Sequence, residues 1–156
     1  MNKIFTLMTT GFLVLLAGLV QAAPEAAKDS TVASSYAKQK VVYHVNFNDP
    51  KILKAALGNV QNHIAAVGKD NIEIKVVMHG DGVELLKVAN TDPEMQSKVI
   101  NLKDQKVDFV VCNNTLVGRK INYKNDLFDV SERDIVPSGV AELAKLQQQG
   151  YVYIKP

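Results

Sequence analysis

The stretch that decides the fold is KVVYHVNFNDPKILKAALGNVQNHIAAVG, residues 40–68, in which a strand pattern passes directly into a helix pattern. Its first eight residues are mostly β-branched or aromatic, which is typical of a strand. Asp49 followed by Pro50 suits a helix start, as an acidic N-cap and a proline at the first helical position. Apolar residues then recur at helical spacing as far as Gly68, which predicts the helix end.

The same alternation continues through the rest of the chain. Further strands are predicted at residues 72–78, 107–112, 134–136 and 151–155. Helical segments are predicted between them, at residues 83–88, 92–106, from about 114, and 137–149. Strands joined by crossover helices form a parallel sheet with helices on both faces. We therefore predict an α/β fold with a mostly parallel sheet of about five strands.

The N-terminal segment has the composition of a targeting signal. Lys3 precedes a mostly apolar stretch, and Val20-Gln21-Ala22 matches the pattern that signal peptidase prefers. A membrane anchor is the alternative, but its apolar core is shorter than the ~20 residues that span a bilayer. We expect a periplasmic or secreted protein with three segments: a cleavable signal peptide at 1–22, an arm or linker at 23–38, and the α/β domain at 39–156.

Charge and histidine spacing exclude several classes of partner. The whole chain has 18 basic and 16 acidic side chains, and the expected mature chain loses only Lys3. This balance argues against nucleic acid or an anionic membrane surface as a partner. The histidines at 44, 63 and 79 lack metal-ligand spacing, so no metal site is predicted. No cofactor is predicted either, since "HGDG" at 79–82 is not a phosphate-binding fingerprint.

Cys112 is the single cysteine of the chain and ends the third predicted strand. Sites in parallel α/β sheets lie at the carboxyl ends of the strands, where the sequence also places Asn46 and His79. If Asn113 to Thr115 cap the next helix, its free N–H groups favour the Cys112 thiolate. The alternative is a small buried hydrophobe, the commonest role of a free cysteine.

Other residues near these strand ends are candidates for supporting roles. Asn114 and Thr115 are candidate hydrogen-bond donors to the sulfur. Arg119 lies four residues after Thr115 on the same helical face and could hold an anionic sulfur species, although a solvated surface charge is the simpler interpretation. His79 could carry a proton or orient a group if its loop reaches Cys112, and a structural loop histidine is about equally compatible with the sequence.

Several motifs resemble one protein family. "VDFVVCNNTLVGRKI", residues 107–121, resembles the cysteine segment of DsrE/DsrF-like proteins, and "DIVPSGVAELAKLQQQGYVYIKP", residues 134–156, is similar to the C-terminus of their exported single-domain members. With the matching first strand and "HGDG" region, the resemblance covers roughly residues 40–156. It implies a flavodoxin-like three-layer α/β/α domain, a homotrimer or homohexamer, and, as in the cytoplasmic members, sulfur relay by a persulfide on Cys112.

The preferred hypothesis is therefore sulfur transfer or persulfide carrying through Cys112. Its partners would be a thiol or persulfide donor and acceptor, and the sequence leaves open whether the protein turns over as a sulfurtransferase-like enzyme. One alternative is a non-catalytic module that binds a small ligand, with Cys112 lining the crevice. The other is an oligomeric structural protein whose thiol is inaccessible.

Overall fold

A computed structural model describes residues 36–156 of the chain. The expected signal peptide and nearly all of the expected arm lie outside the described residues. The strands are β1 (Gln39–Val45), β2 (Ile72–Met78), β3 (Asp108–Cys112), β4 (Ile135–Val136) and β5 (Val152–Ile154). The helices are α1 (Pro50–Val67), α2 (Glu84–Ala89), α3 (Pro93–Asp104), α4 (Asn113–Arg119), α5 (Tyr123–Asp126) and α6 (Gly139–Gln148), with 3-10 turns at Gly80–Val83 and Glu132–Asp134.

The five strands form one parallel sheet in the order β4-β3-β2-β1-β5. The crossovers from β1 to β4 all move in one direction across the sheet, so right-handed connections place their helices on one face. The crossover from β4 to β5 moves back the other way and places α6 on the opposite face. The predicted three-layer α/β/α fold of flavodoxin-like type is confirmed.

Alternation along β1 divides its side chains between two cores, because successive residues of a strand point to opposite faces. Val41, Tyr43 and Val45 join the larger core, which α1, α2, α3 and α4 cover. Val42 lies in the smaller core with Leu143 and Leu146 of α6. His44, two residues after Val42, therefore belongs to the face that α6 covers.

Local signals explain where α1 begins and ends. The Asp49 carboxylate accepts hydrogen bonds from the backbone N–H groups of Lys51 (2.8 Å) and Ile52 (3.1 Å), which are free at a helix start. Gly68 ends the helix with a φ of 90°, in the left-handed region that glycine adopts without a steric penalty. Both predictions for this helix are confirmed.

The structure moves several predicted boundaries by one or two residues, and two of these shifts lie at the carboxyl edge of the sheet. β1 ends at Val45 rather than at residue 47, because its β2 partner Met78 is the last residue of that strand. Asn113 to Thr115 form the first turn of α4 and do not cap it; Cys112 is the N-cap residue, with extended backbone angles. The strand therefore runs into the helix without an intervening loop. None of the helices within residues 36–156 has the length and apolar character needed to cross a membrane.

Candidate functional site

Cys112 lies at the carboxyl edge of the sheet, and its side chain is 5% exposed. Burial raises the pKa of the Cys112 thiol, because it disfavours the charged form. Hydrogen bonds from the backbone N–H of Gly139, the Thr115 side chain, and the backbone N–H groups of Thr115 and Asn114 lower this pKa. Together they outweigh burial, so the pKa of Cys112 lies below its ordinary value.

The backbone donors come from the first turns of two helices, α4 and α6, whereas the sequence analysis expected one. Gly139 is the first residue of α6, and a Cβ at this position would lie 3.2 Å from the Cys112 Cβ and 2.9 Å from the His79 Cβ. A glycine lets α6 start this close to both residues. The pattern Pro137-Ser138-Gly139, directly after the fourth predicted strand, is the sequence signal that could have identified this contact.

Thr115 connects the cysteine to the turn that follows β2. Its Oγ1 accepts a hydrogen bond from the Gly80 backbone N–H at 2.9 Å. Because the hydroxyl oxygen is occupied as an acceptor, its hydrogen remains available to the Cys112 sulfur. The predicted role of Thr115 as a donor thus has a geometric basis. The Asn114 backbone N–H is shared between the sulfur and the Pro137 carbonyl oxygen, 3.3 Å away, and the Asn114 side chain is exposed.

Arg119 is engaged with an acidic side chain in the same turn. Its Nη2 lies 2.5 Å from Oδ1 of Asp81, and both side chains are 49% exposed. An exposed ion pair of this kind contributes at most about 1 kcal/mol. The contact joins α4 to the turn at Gly80–Val83, and the choice between an anion-holding group and a solvated charge stays a prediction.

His79 reaches the cysteine side of the sheet, as its contact with the Gly139 position indicates. Its Nε2 lies 2.7 Å from Nε2 of His44, and Nδ1 of His44 lies 2.6 Å from the Tyr153 hydroxyl. The two imidazole planes differ by 22°. Stacked rings could not bring two nitrogens to 2.7 Å, so the rings meet edge to edge in a hydrogen bond.

Burial and a nearby cation keep both histidines neutral. Burial, the His79 ring and the Lys155 ammonium together lower the pKa of His44 to about 4. Burial and Lys155 also lower the pKa of His79. Near neutral pH the pair therefore carries no net charge. From the sequence, His44 was weighed only as a metal ligand, and its position near the carboxyl end of β1 was the signal for its place at the site.

Asn46 lies at the same edge but is joined to another residue. Its Oδ1 accepts a hydrogen bond from Nζ of Lys155 at 2.8 Å. This contact anchors the residue after β5 to the end of β1. The structure thus brings Thr115, Asn114 and His79 to Cys112, whereas Asn46 and Arg119 are held by Lys155 and Asp81.

Comparison with known proteins identifies the family. The model of the DsrE/DsrF-like family matches residues 19–156. The chain belongs to the DsrE/DsrF-like family. A similar solved structure is that of MTH1491 from Methanobacterium thermoautotrophicum, a protein described as of unknown function. The two sequences are 31% identical, the match covers 76% of this chain and 100% of the other, and the TM-score is 0.66. The comparison with curated proteins gave no match.

Two depressions of this DsrE-like domain have linings that do not include Cys112. One, of about 580 Å³, is lined by residues at the amino ends of β1 and β2, including Lys40 and Glu73. Another, of about 730 Å³, runs beside β3 and α6. Across the described part of the chain, no three His, Cys, Asp or Glu side chains are grouped to hold a metal ion. The donors around Cys112 suit thiolate chemistry.

Proposed function

We propose that this DsrE-like protein carries sulfane sulfur on Cys112 and passes it from a persulfide donor to a thiol acceptor. The observation that carries the proposal is the set of donors around the sulfur: backbone N–H groups from two helix starts and the Thr115 hydroxyl. A cysteine retained only for packing has no need of such donors, since a neutral thiol is a weak acceptor. A thiolate that attacks a sulfur atom is stabilised by them.

The transfer takes place in two balanced steps. The Cys112 thiolate attacks the terminal sulfur of R–S–SH, a new S–S bond forms, and RS⁻ leaves with the electron pair of the broken bond. An acceptor thiolate R′S⁻ then attacks the terminal sulfur of Cys112–S–SH, forming R′–S–SH and releasing the Cys112 thiolate. A thiol of lowered pKa serves both steps, because it is present as thiolate and is a good leaving group.

Assembly and location are further parts of the proposal. DsrE-family proteins generally form oligomers, and here the short edge strand β5 exposes Val152 (61%), on the face of the sheet opposite to Tyr153. Exposed apolar side chains on an edge strand favour pairing with another chain. We expect a homotrimer or homohexamer without an interchain disulfide. Light scattering would measure the number of subunits. The signal-peptide pattern at 1–22 supports export to the periplasm or beyond.

Intact-mass measurement after incubation with glutathione persulfide tests the proposed function. Wild-type protein should gain the mass of one sulfur atom and lose it when excess glutathione is added. Cys112→Ser should gain none, because the chain then has no thiol. A wild-type protein whose mass stays constant, or a Cys112→Ser variant that gains the same mass, would contradict the proposal.

A further inference from the structure

A hydrogen-bonded chain of three side chains leads from the edge of the sheet towards Cys112. It begins at the Tyr153 hydroxyl on β5, passes through both ring nitrogens of His44 on β1, and ends at His79 after β2. Tyr153 is 39% exposed, whereas His44 is only 8% exposed. This series of hydrogen-bonded side chains therefore connects solvent at Tyr153 with the surroundings of the Cys112 thiol at His79.

His79 is held next to the cysteine by the close approach of α6. A Cβ at Gly139 would touch both the His79 Cβ and the Cys112 Cβ, at 2.9 and 3.2 Å. The two real Cβ atoms can be no farther apart than the sum of these distances. The ring atom of His79 that meets the Gly139 position is Cδ2, at 3.5 Å, so Nδ1 lies on the ring edge away from α6, and a donor or acceptor thiol must approach it from that side. The Gly80 N–H, directly after His79, is bound by Thr115, which is itself a donor to the sulfur.

The short contact between the two Nε2 atoms allows only two neutral arrangements. One Nε2 carries the hydrogen and the other accepts it, because two hydrogens or two lone pairs would repel at 2.7 Å. When Tyr153 donates to Nδ1 of His44, His44 donates from Nε2 and His79 carries its hydrogen on Nδ1. In the reverse arrangement, Nδ1 of His44 donates to the Tyr153 oxygen and Nε2 of His79 donates to Nε2 of His44. Nδ1 of His79 then carries no hydrogen.

We infer that Tyr153, His44 and His79 form a reversible proton relay for sulfur transfer at Cys112, an inference that rests on the proposed function. In the first step, RS⁻ takes the hydrogen from Nδ1 of His79, each proton in the chain moves one place, and a solvent proton enters at Tyr153. In the second step, the acceptor thiol R′SH gives its proton to Nδ1 of His79. Each proton between the rings and the phenol moves one place in the opposite direction, and a proton leaves to solvent at Tyr153. Each step leaves the relay in the arrangement that the next step needs.

The charges around the relay favour this neutral form. Lys155, after β5, lowers the pKa of both histidines, and the other groups in direct contact are the Tyr153 hydroxyl and the rings themselves. The Arg119 charge on α4 is paired with Asp81. Because an imidazolium is disfavoured, protons move through the pair as a change of tautomer and not as a stored charge.

Tyr153→Phe and His44→Gln test the relay, since each interrupts the chain while leaving Cys112 and its donors in place. We measure the rates of sulfur loading from glutathione persulfide and of discharge to glutathione, in H₂O and in D₂O. Both variants should slow transfer about tenfold, less than the usual 10²–10⁴ of general acid–base catalysis because thiolates are weak bases. They should also lose the solvent isotope effect and keep the wild-type rate of Cys112 alkylation.

A second tyrosine–histidine pair provides matched controls. Tyr43→Phe and His63→Gln remove the same chemical groups from the opposite face of β1, where Tyr43 and His63 are hydrogen bonded at 3.0 Å. Both controls should transfer sulfur at the wild-type rate. Equal rates and equal isotope effects in the wild type, Tyr153→Phe and His44→Gln would overturn the relay while leaving the proposed function in place. A wild type that never loads would overturn both.

Nitrogen-15 spectra of the imidazole rings give a readout that does not depend on activity. His44 and His79 should be neutral at pH 7, and their nitrogen shifts should change in Tyr153→Phe, because the phenol no longer donates to or accepts from Nδ1. A doubly protonated ring at pH 7, or His79 shifts that are unaffected by Tyr153→Phe, would overturn the relay. Tyr153→Phe removes one oxygen from an exposed side chain, so the fold should persist.

Discussion

The two faces of β1 carry two tyrosine–histidine networks that differ in how their protons are fixed. Behind one face, Nδ1 of His63 lies 3.0 Å from the Tyr43 hydroxyl, and its Nε2 lies 2.7 Å from Oε1 of Gln39. Because an amide oxygen only accepts, Nε2 of His63 must carry the hydrogen, and Tyr43 must donate to Nδ1. This network has a single proton arrangement.

On the other face the partner at the end of the network is a second histidine instead of an amide. His44 meets His79, which can either donate or accept, so the arrangement can reverse. The two networks start from the adjacent residues 43 and 44 of one strand. A tyrosine–histidine contact is therefore not in itself functional. The last partner of the histidine and the distance of the network from Cys112 distinguish a structural network from the proposed relay.

The largest effect on the rate of sulfur transfer should come from moving the His44–His79 pair away from Cys112. In Gly139→Ala the new methyl group would meet His79 and Cys112 at the distances given above, so α6 and its N–H donor must move outwards. A misplacement of about 1 Å can cost about 100-fold in rate, and we expect sulfur transfer to fall by about that factor.

Gly58→Ala is the matched control, because a Cβ there meets no atom within 4 Å. It should leave transfer unchanged and stabilise α1 slightly, since alanine is favoured over glycine in helices by roughly 1 kcal/mol. Transfer rates and denaturant unfolding of both variants measure this. Wild-type transfer by Gly139→Ala would show that the close packing of α6 is not needed.

A smaller effect is expected from removing one donor to the sulfur. Thr115→Val keeps the shape of the side chain but removes the hydroxyl that helps to lower the pKa of Cys112. The pKa should therefore rise, and alkylation near pH 7 should slow about tenfold, since a hydrogen bond to a charged group contributes about 1.5–3 kcal/mol. The alkylation rate against pH measures this.

Thr91→Val serves as the control for Thr115→Val. The Thr91 hydroxyl donates to the Val88 carbonyl at 3.3 Å in an exposed turn after α2. Its alkylation profile should match that of the wild type. An unchanged inflection in Thr115→Val would mean that the backbone N–H groups alone hold the thiolate.

The pH dependence of the free energy of unfolding should distinguish the His44 network from the His63 network, with a smaller effect than the substitutions above. Burial, His79 and Lys155 lower the pKa of His44 from 6.5 to about 4, so the unfolded chain binds more protons than the folded one between these values. The free energy of unfolding should fall as the pH falls from 6.5 towards 4. His44→Gln should remove more of this slope than His63→Gln, whose histidine has a pKa lowered by burial alone.

Urea unfolding at several pH values gives the slopes. A stability that stays constant from pH 6.5 to 4 in the wild type would contradict the lowered pKa of His44. Equal slopes in the two variants would mean that the networks do not differ in their electrostatics.

Local sequence signals predicted the elements that depend on neighbours in the chain. Asp49, Pro50 and Gly68 act within one helical turn, so the bounds of α1 followed from them. The position of Cys112 at the carboxyl edge followed from the parallel topology. The partners of His44 could not be found in this way, because His79 and Tyr153 lie 35 and 109 residues away. Their contacts depend on β5 pairing beside β1, an order that periodicity does not encode.

The smallest effect is expected from the ion pair at the surface. Arg119→Met should change the free energy of unfolding by less than about 1 kcal/mol, because both partners of the Arg119–Asp81 pair are about half exposed. Sulfur loading of Cys112 should remain at the wild-type rate. A large loss of loading in this variant, with stability intact, would support the predicted role of Arg119 in holding an anionic sulfur species.

The late place of β5 along the chain also bears on when Cys112 acquires its surroundings as the domain folds. Ribosomes build the chain from the N-terminus, so Cys112 is made before Gly139 and Tyr153. A polypeptide that ends before residue 139 contains Cys112. It lacks the Gly139 N–H that donates to the sulfur, and it lacks Tyr153, the solvent end of the hydrogen-bonded series. Under the proposed relay, full reactivity requires the final strand to dock, so a fully reactive thiol would report that β5 is in place.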